Sequence, residues 1–182
     1  MLAEINELEN RIYAVYTSPL KALSNDIHKN LIEPLEEIYK IAEKKNIKLQ
    51  KIRVGLRTGD TTQAERAKMA KHAPHIFITT PESLAITLTS KNFVEYMRAV
   101  EFCVVDEIQA LDNKRGTYLS ISLERLNEVS KLWPVKIGLS ATISPLEEVA
   151  KFLVGIDNER DVFIADVKME KKIDVKVLSV GD

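Results

Sequence analysis

Residues 100–109 read VEFCVVDEIQ, a short apolar run that ends in two adjacent carboxylates. The run at 102–105 is continuous rather than alternating, which is typical of a strand covered on both faces in a parallel sheet. In an open sheet of this kind, ligands bind beyond the carboxyl ends of the strands, where Asp106 and Glu107 stand. This stretch therefore predicts an α/β fold and the edge of the sheet at which a site would lie.

Short apolar runs alternate with amphipathic segments on both sides of this stretch. The other runs lie at residues 12–16, 52–56, 76–79, 135–139 and 162–165. Apolar residues at helical spacing predict helices around residues 20–42, 119–129 and 146–153, the first of them interrupted by Pro34. This rhythm predicts a mostly parallel central sheet with helices on both faces.

The C-terminal residues depart from this rhythm. Ile173, Val175 and Val177 alternate with charged residues, as in an edge strand that buries one face. No internal repeat or low-complexity linker divides the chain. We expect one domain over residues 1–165 and an exit strand or linker over residues 166–182.

Composition and charge exclude several classes of protein. Of 182 residues, 45% are apolar and 29% are charged, unlike a disordered tail or a fibrous repeat. Lys and Arg number 26 against 27 Asp and Glu, which excludes a polybasic protein that binds through bulk charge. No apolar run approaches the roughly 18 residues of a transmembrane helix, and the acidic start is unlike a signal peptide. We expect a soluble, cytoplasmic protein without membrane contact.

The cysteine and the histidines predict no metal centre. Cys103 is the only cysteine and lies in an apolar run, so we expect a buried thiol in a reducing compartment. His28, His72 and His75 lack partners at zinc-ligand spacing, and we assign no metal to them.

Three strand ends carry a hydroxyl residue followed by proline, at Ser18-Pro19, Thr80-Pro81 and Ser144-Pro145. Each predicts a helix with its N-cap at the hydroxyl residue and proline at the first helical position. Ser144 with Glu147, and Thr62 with Glu65, also have capping-box spacing. Helix N-termini along one edge would suit a ligand with a row of phosphates, to which Lys21 could add a charged contact. The alternative is that they are helix starts and nothing more.

The carboxylates of Asp106 and Glu107 need a function if they are buried, because an unpaired buried charge is costly. Metal binding, base catalysis and helix capping all remain open. In phosphoryl transfer, the first acid of such a pair holds Mg²⁺ and its neighbour orients the attacking water. Ser140 and Thr142 would lie nearby if their strand is adjacent, or would satisfy the backbone of their own turn. Gly59, after the second strand, suits a tight turn or a close backbone approach.

The set of motifs resembles the first RecA-like domain of superfamily 2 helicases. In chain order, the matching segments are 17–23 (TSPLKAL, motif Ia), 57–60 (RTGD, the Gly-containing motif), 79–83 (TTPES, motif Ib), 106–109 (DEIQ, motif II or Walker B) and 140–142 (SAT, motif III). The longer strings SPLKAL, RTGDTTQAER, TTPESL and DNKRGTYLSISLERL are most similar to the large-helicase-related, Lhr-like branch. The resemblance covers nearly the whole chain.

This resemblance implies a three-layer RecA-like P-loop NTPase fold and a role for each matching residue. Asp106 would bind Mg²⁺ with the phosphates of ATP, and Glu107 would position or deprotonate the attacking water. Gln109 would sense the nucleotide, while Ser140 and Thr142 would couple hydrolysis to movement. Along a nucleic-acid track, contacts to backbone phosphates would come from Ser18, Pro19, Lys21, Gly59, Thr80 and Arg115.

Two departures from the family pattern matter. Gln109 stands where this branch usually has histidine, so the position keeps its hydrogen bonds but cannot titrate. No Gly-Lys pair occurs in the chain, so it has no Walker A loop to hold the β and γ phosphates. We therefore expect a RecA-like domain that is incomplete at its N-terminus, without the second RecA-like domain and with no cofactor bound tightly to this chain.

The leading hypothesis is part of an ATP-dependent helicase that acts on single- or double-stranded nucleic acid, with DNA favoured over RNA. The second RecA-like domain of the same protein would be a further partner, and an exposed sheet edge predicts self-association. The main alternative is a catalytically inert RecA-like platform that binds nucleic acid through its phosphates. A third reading is an unrelated α/β enzyme that uses Asp106 and Glu107 as metal ligands for a small phosphate ester.

Overall fold

Five parallel strands form one sheet in the computed structural model, which describes residues 8–111, 114–141, 143–155 and 162–166. In chain order they are β1 (Ala14–Thr17), β2 (Val54–Arg57), β3 (Ile76–Thr79), β4 (Phe102–Val105) and β5 (Val135–Gly138). Their order across the sheet is β2-β3-β1-β4-β5, and every neighbouring pair is parallel. The five strands overlap five of the six runs predicted from the sequence.

Six α-helices and two 3₁₀ turns accompany the strands within the same ranges. The helices are α1 (Lys21–Lys44), α2 (Gln63–Lys71), α3 (Pro81–Thr87), α4 (Lys91–Val94), α5 (Lys114–Val129) and α6 (Leu146–Val154), and the 3₁₀ turns are Glu95–Met97 and Ile108–Leu111. None of these helices is both long and apolar enough to cross a bilayer.

The helices lie on both faces of the sheet. The chain moves from β1 to β2 in one direction across the sheet and then returns through β3 to β4 and β5. Because crossovers between parallel strands are right-handed, α1 lies on one face and α2, α3 and α5 lie on the other. In agreement, α1 contacts β2 and β3, while α3 packs against α5. The predicted three-layer arrangement is confirmed.

The core lies between the central strands and the helices. Val15 of β1, Phe77 of β3, Val105 of β4 and Leu119 of α5 are completely inaccessible to solvent. Burial of a side chain of this kind contributes about 1.5–3 kcal/mol relative to exposure. Cys103 is also fully buried, as predicted, and burial raises the pKa of its thiol to about 12.

β5 is an edge strand with exposed apolar side chains. Val135 is 57% exposed, Ile137 is 39% exposed and Leu139, just after the strand, is 44% exposed. Parallel strands are ordinarily covered on both faces, and natural proteins protect sheet edges from pairing with other chains. The described part of the chain therefore has an open apolar edge beside β5.

Three predicted elements differ from the structure or lie outside it. α1 continues through Pro34, which lies on the exposed side of the helix, where the carbonyl that loses its partner can bond to water. Residues 162–165 form no strand, and Phe163 is 91% exposed, because no strand of the described ranges pairs with them. The edge strand predicted at residues 173–177 lies outside the described residues, as does most of the exit segment.

Two of the predicted helix caps are confirmed. Thr80 is the N-cap of α3, its Oγ1 accepts from Ser83 N at 3.4 Å, and Pro81 stands at the start of the helix. Thr62 and Glu65 form the predicted capping box at α2: Glu65 N donates to Thr62 Oγ1 at 3.3 Å, and Thr62 N donates to Glu65 Oε2 at 2.8 Å.

The other two predicted caps are wrong. α1 begins at Lys21, because the chain stays extended through its N-cap Leu20, and Ser18 N instead continues the sheet ladder to a carbonyl of β3. α6 begins at Leu146, because Pro145 is extended and serves as an N-cap without a side-chain hydrogen bond. The proline of each pair therefore precedes its helix rather than starting it.

Candidate functional site

The carboxyl ends of β1, β4 and β5 bring the predicted acidic and hydroxyl residues to one edge of the sheet. The ladder continues one step beyond the strands, because Asp106 N donates to Thr17 O at 2.9 Å and Ile108 N donates to Leu139 O at 3.1 Å. These bonds hold the two acids that follow β4 beside Ser140, which follows β5. The condition that the sequence left open, that the strand before Ser140 neighbours β4, is therefore met.

The carboxylate of Asp106 is partly buried and accepts a hydrogen bond at each oxygen. Glu107 N donates to Oδ1 at 2.8 Å, and the hydroxyl of Tyr16 donates to Oδ2. Burial, followed by the bond to Asp106, raises the pKa of Tyr16 above its usual value, so this hydroxyl is a donor at neutral pH. Each carboxylate oxygen keeps a further lone pair. The carboxylate is thus held in one orientation and can still bind a cation.

Glu107 has a left-handed backbone, with φ of 51°. Residues other than glycine rarely adopt this conformation, which costs of order 1–3 kcal/mol and is concentrated at functional sites. The turn brings the side chain of Glu107 to Gln109, whose Nε2 donates to Glu107 Oε2. The fold therefore maintains a strained backbone at the second acid of the pair.

Gln109 connects the acids to the end of β5. Ser140 Oγ donates to Gln109 Oε1 at 2.7 Å, while the amide nitrogen of Gln109 donates to Glu107. Because both ends of the amide are used, the hydrogen bonds run in one direction, from Ser140 to Glu107. Glutamine does not titrate, so the chain of bonds does not depend on protonation of Gln109. Thr142, the other hydroxyl predicted here, lies outside the described residues.

The site fits a magnesium ion that is shared with phosphates. Mg²⁺ is usually bound through one or two carboxylates, water and substrate phosphates rather than by an all-protein cage. Asp106 offers one oriented carboxylate, and no group of three or more His, Cys, Asp or Glu in the described ranges could enclose a metal. For the phosphates themselves, the sequence supplies no Gly-Lys pair.

The residues predicted along the nucleic-acid track fall into a buried and an exposed group. Ser18, Pro19 and Thr80 are buried, and Ser18 Oγ has no hydrogen-bond partner in the part of the chain that the structure describes. Their side chains contribute to the shape of the sheet edge more than to its surface.

The exposed group consists of Lys21, Gly59 and Arg115. Lys21 Nζ lies 2.8 Å from Asp60 Oδ1, and a Cβ on Gly59 would lie 3.4 Å from the same Nζ. The first residue of α1 is thereby tied to the turn after β2. Arg115 Nε lies 3.0 Å from Glu82 Oε1, so α5 is tied to the first turn of α3.

Sequence reasoning missed two side chains of this edge. Tyr16 lies in the predicted strand run 12–16, and a tyrosine near the end of a buried strand needs a partner for its hydroxyl. Asp60 lies in the segment RTGD, and an acid near a basic helix start is a candidate ion pair. In both cases the residue type alone indicates that the side chain needs a polar or charged partner.

Comparison with known proteins matches residues 1–151 to the DEAD/DEAH box helicase family. The chain is 55% identical over 177 residues to the ATP-dependent helicase Lhr-Core of Methanocaldococcus jannaschii, covering 97% of this chain and 21% of that protein. It is 51% identical over 187 residues to ATP-dependent helicase Lhr-Core protein 2 of Thermococcus barophilus, covering 100% of this chain and 22% of that protein.

A solved structure of an Lhr helicase is also similar to this chain. The structure of Mycobacterium smegmatis helicase Lhr bound to ssDNA and AMP-PNP matches with a TM-score of 0.75 and 43% identity. The match covers 79% of this chain and 19% of that chain. The present chain spans about a fifth of the length of the curated relatives named above.

Proposed function

This chain belongs to the DEAD/DEAH box helicase family, and from that premise we propose that it forms part of the first motor domain of an ATP-dependent helicase. Such a motor couples ATP hydrolysis to movement along nucleic acid. The observation that carries the proposal is the run of hydrogen bonds from Ser140 through Gln109 to Glu107, beside Asp106. It links a candidate catalytic acid to the end of the neighbouring strand, which is what coupling requires.

The two acids have different roles in this proposal. Asp106 would hold Mg²⁺ together with the phosphates of ATP, and the bound metal would neutralise charge that develops on the phosphoryl oxygens. Glu107 would orient the attacking water and accept its proton, while the hydrogen bond from Gln109 to Oε2 holds the carboxylate in place. The strained backbone of Glu107 would keep that carboxylate aimed at the nucleotide.

The phosphates of ATP need donors that this sequence does not contain. A Walker A loop would hold the β and γ phosphates, and an arginine finger would add about 10³–10⁵ in rate. We propose that both come from other parts of the complete protein, the finger from a second RecA-like domain that faces Gln109 and Ser140. The 182-residue chain alone should then hydrolyse no ATP.

Nucleic acid would lie along the same edge of the sheet, near the starts of α1, α3 and α5. Lys21 and Arg115 would contact backbone phosphates, while Ser18, Pro19, Gly59 and Thr80 would shape the path of the strand. Contacts to backbone phosphates bind nucleic acid of any base sequence. DNA is favoured because the similar Lhr helicase structure holds ssDNA. A cytoplasmic location suits the free, buried thiol of the β4 cysteine.

An inert nucleic-acid platform is the second candidate. The observation that favours it is the missing Gly-Lys pair, without which the fold offers a phosphate-binding edge but no ATP loop. A platform would bind nucleic acid in a salt-dependent manner, and its affinity would not change with nucleotide in any form of the protein.

The two candidates are separated by nucleic-acid-stimulated ATP hydrolysis of the full-length product of the reading frame. We expect Glu107→Gln to lower kcat by about 10²–10⁴-fold, the contribution of a positioned general base. Glu128→Gln, which neutralises an exposed acid of α5, is the matched control and should hydrolyse ATP normally. A folded full-length protein that binds nucleic acid and hydrolyses nothing would favour the platform.

A further inference from the structure

We propose that Tyr16 is a positioning residue whose hydroxyl holds the carboxylate of Asp106 in the orientation that binds Mg²⁺. The inference rests on the proposed ATP-dependent function. It adds a residue that lies outside the five motif segments and deepens the account of the metal site.

The register of the sheet places Tyr16 where it can act on the acid. β1 and β4 are parallel neighbours, and Tyr16 is aligned with Val104, two residues before Asp106. From the central strand, the ring reaches along the sheet to its carboxyl edge, where its hydroxyl donates to Asp106 Oδ2.

Among the described residues, Tyr16 alone holds the second carboxylate oxygen of Asp106. Asp106 N is fixed by Thr17 O at 2.9 Å, and Oδ1 is fixed by Glu107 N at 2.8 Å. With Oδ2 released, the hydrogen bond at Oδ1 alone would oppose rotation of the carboxylate about its Cβ–Cγ bond. Partners outside the ligand set that orient a metal ligand typically change metal affinity or activity by about 10–100-fold when removed.

The partner of Tyr16 distinguishes it from the structural tyrosines of this fold. The hydroxyls of Tyr13, Tyr39 and Tyr96 each bond to a main-chain atom, at 3.0, 2.7 and 3.0 Å. Such bonds fasten one segment of backbone to another. Tyr16 instead bonds to a carboxylate at the ligand-binding edge. Loss of its hydroxyl should therefore weaken Mg²⁺ binding more than it destabilises the fold.

The test is the Mg²⁺ dependence of nucleotide binding by the full-length product of the reading frame. The probe is a fluorescent ADP analogue, titrated in Mg²⁺ and again in EDTA. For Tyr16→Phe we expect the gain in affinity that Mg²⁺ confers to fall by about 10-fold or more, with the affinity in EDTA unchanged. The Mg²⁺ concentration for half-maximal hydrolysis should rise by a similar factor. Tyr96→Phe removes a hydroxyl bonded to Ala70 O and should leave both quantities as in the wild type.

Two results would overturn the role of Tyr16. One is a Tyr16→Phe protein with the wild-type Mg²⁺ dependence, and the other is an equal loss of affinity in Mg²⁺ and in EDTA, which a structural role would produce. Asp106→Asn separates these failures from failure of the proposed function. If Asp106→Asn abolishes the metal effect and Tyr16→Phe does not, only the present inference falls. If the wild type shows no metal effect, both fall.

Discussion

Ser140 Oγ donates a 2.7 Å hydrogen bond to Gln109 Oε1 and so joins the segment that follows β5 to the 3₁₀ turn after β4. Because Gln109 donates in turn to Glu107, a displacement at the end of β5 would change the position of the candidate catalytic carboxylate. Ser140 is exposed, so this hydrogen bond is accessible from the surface of the described part of the chain.

Ser140→Ala should uncouple hydrolysis from movement in the full-length protein. One hydrogen bond of about 1 kcal/mol corresponds to about a fivefold change, so we expect duplex unwinding to fall about fivefold while ATP hydrolysis changes less. Both rates are measured on the same preparation. Ser122→Ala removes a hydroxyl that bonds within α5 and is the control. An equal fall in both rates would contradict coupling through Ser140.

Gln109→His should introduce a pH dependence that the wild type lacks. A histidine beside Glu107 has its pKa raised above about 6.5 by the carboxylate, and its protonated form would pair with that acid and weaken it as a base. Hydrolysis by the variant should therefore decline as pH falls through the pKa of the new histidine. The measurement is kcat between pH 5.5 and about 8.5 for both proteins. Parallel profiles would mean that position 109 does not touch the catalytic acid.

Arg115→Gln should weaken binding of single strands without unfolding the protein. Its ion pair with Glu82 is exposed on both sides, so its loss should cost less than about 1 kcal/mol of stability. Loss of one phosphate contact should lower the slope of log affinity against log salt by about 1. Glu82→Gln breaks the same pair but keeps the cation, and it should bind at least as tightly as the wild type. Equal weakening by both variants would assign Arg115 a structural role only.

Thr62→Ala should destabilise the chain through loss of the capping box at α2. The cost should be about 0.5–2 kcal/mol, which lowers Tm by a few degrees in a domain of this size. Hydrogen bonds from Thr62 lower the pKa of Glu65, so that part of the cap is present at neutral pH and is lost as acid protonates the carboxylate. The cost of Thr62→Ala should therefore shrink in acid. Ser90→Ala, at an N-cap without a side-chain bond, should change Tm little.

The 182-residue chain should self-associate through β5. Its outer edge pairs with no strand of the described ranges, and together with its exposed apolar side chains this favours pairing with a second copy. Light scattering should give a mass that rises with concentration, and Ile137→Lys should restore a monomer by placing a charge on the edge. Ile38→Lys replaces an isoleucine of α1 that is 49% exposed, against 39% for Ile137, and should leave the association unchanged. A monomer at all concentrations would show that this edge does not mediate self-association.

The sequence was sufficient for the sheet, because it follows from strand periodicity, and for placing the residues after β4 and β5 at one edge, because parallel strands end at one edge. That β5 lies directly beside β4, which lets Ser140 reach Gln109, depended on the order of the strands across the sheet. The hydroxyl of Tyr16 was not predictable in the same way, since its partner depends on the register of β1 against β4 and on one rotamer. The predicted start of α1 is wrong for a local reason. Extended backbone at Leu20 delays the helix past the residues with the best cap chemistry.

The rate at which a thiol reagent labels Cys103 would measure how often this fold opens at its core. Cys103 is the only cysteine, it is wholly enclosed, and its strand pairs on both sides, with Val15 of β1 and Lys136 of β5. A thiol reagent reaches it only after β4 has separated from its neighbours. The labelling half-life therefore times the opening of the strand that carries the two acids, and any ligand that braces its end will lengthen that time.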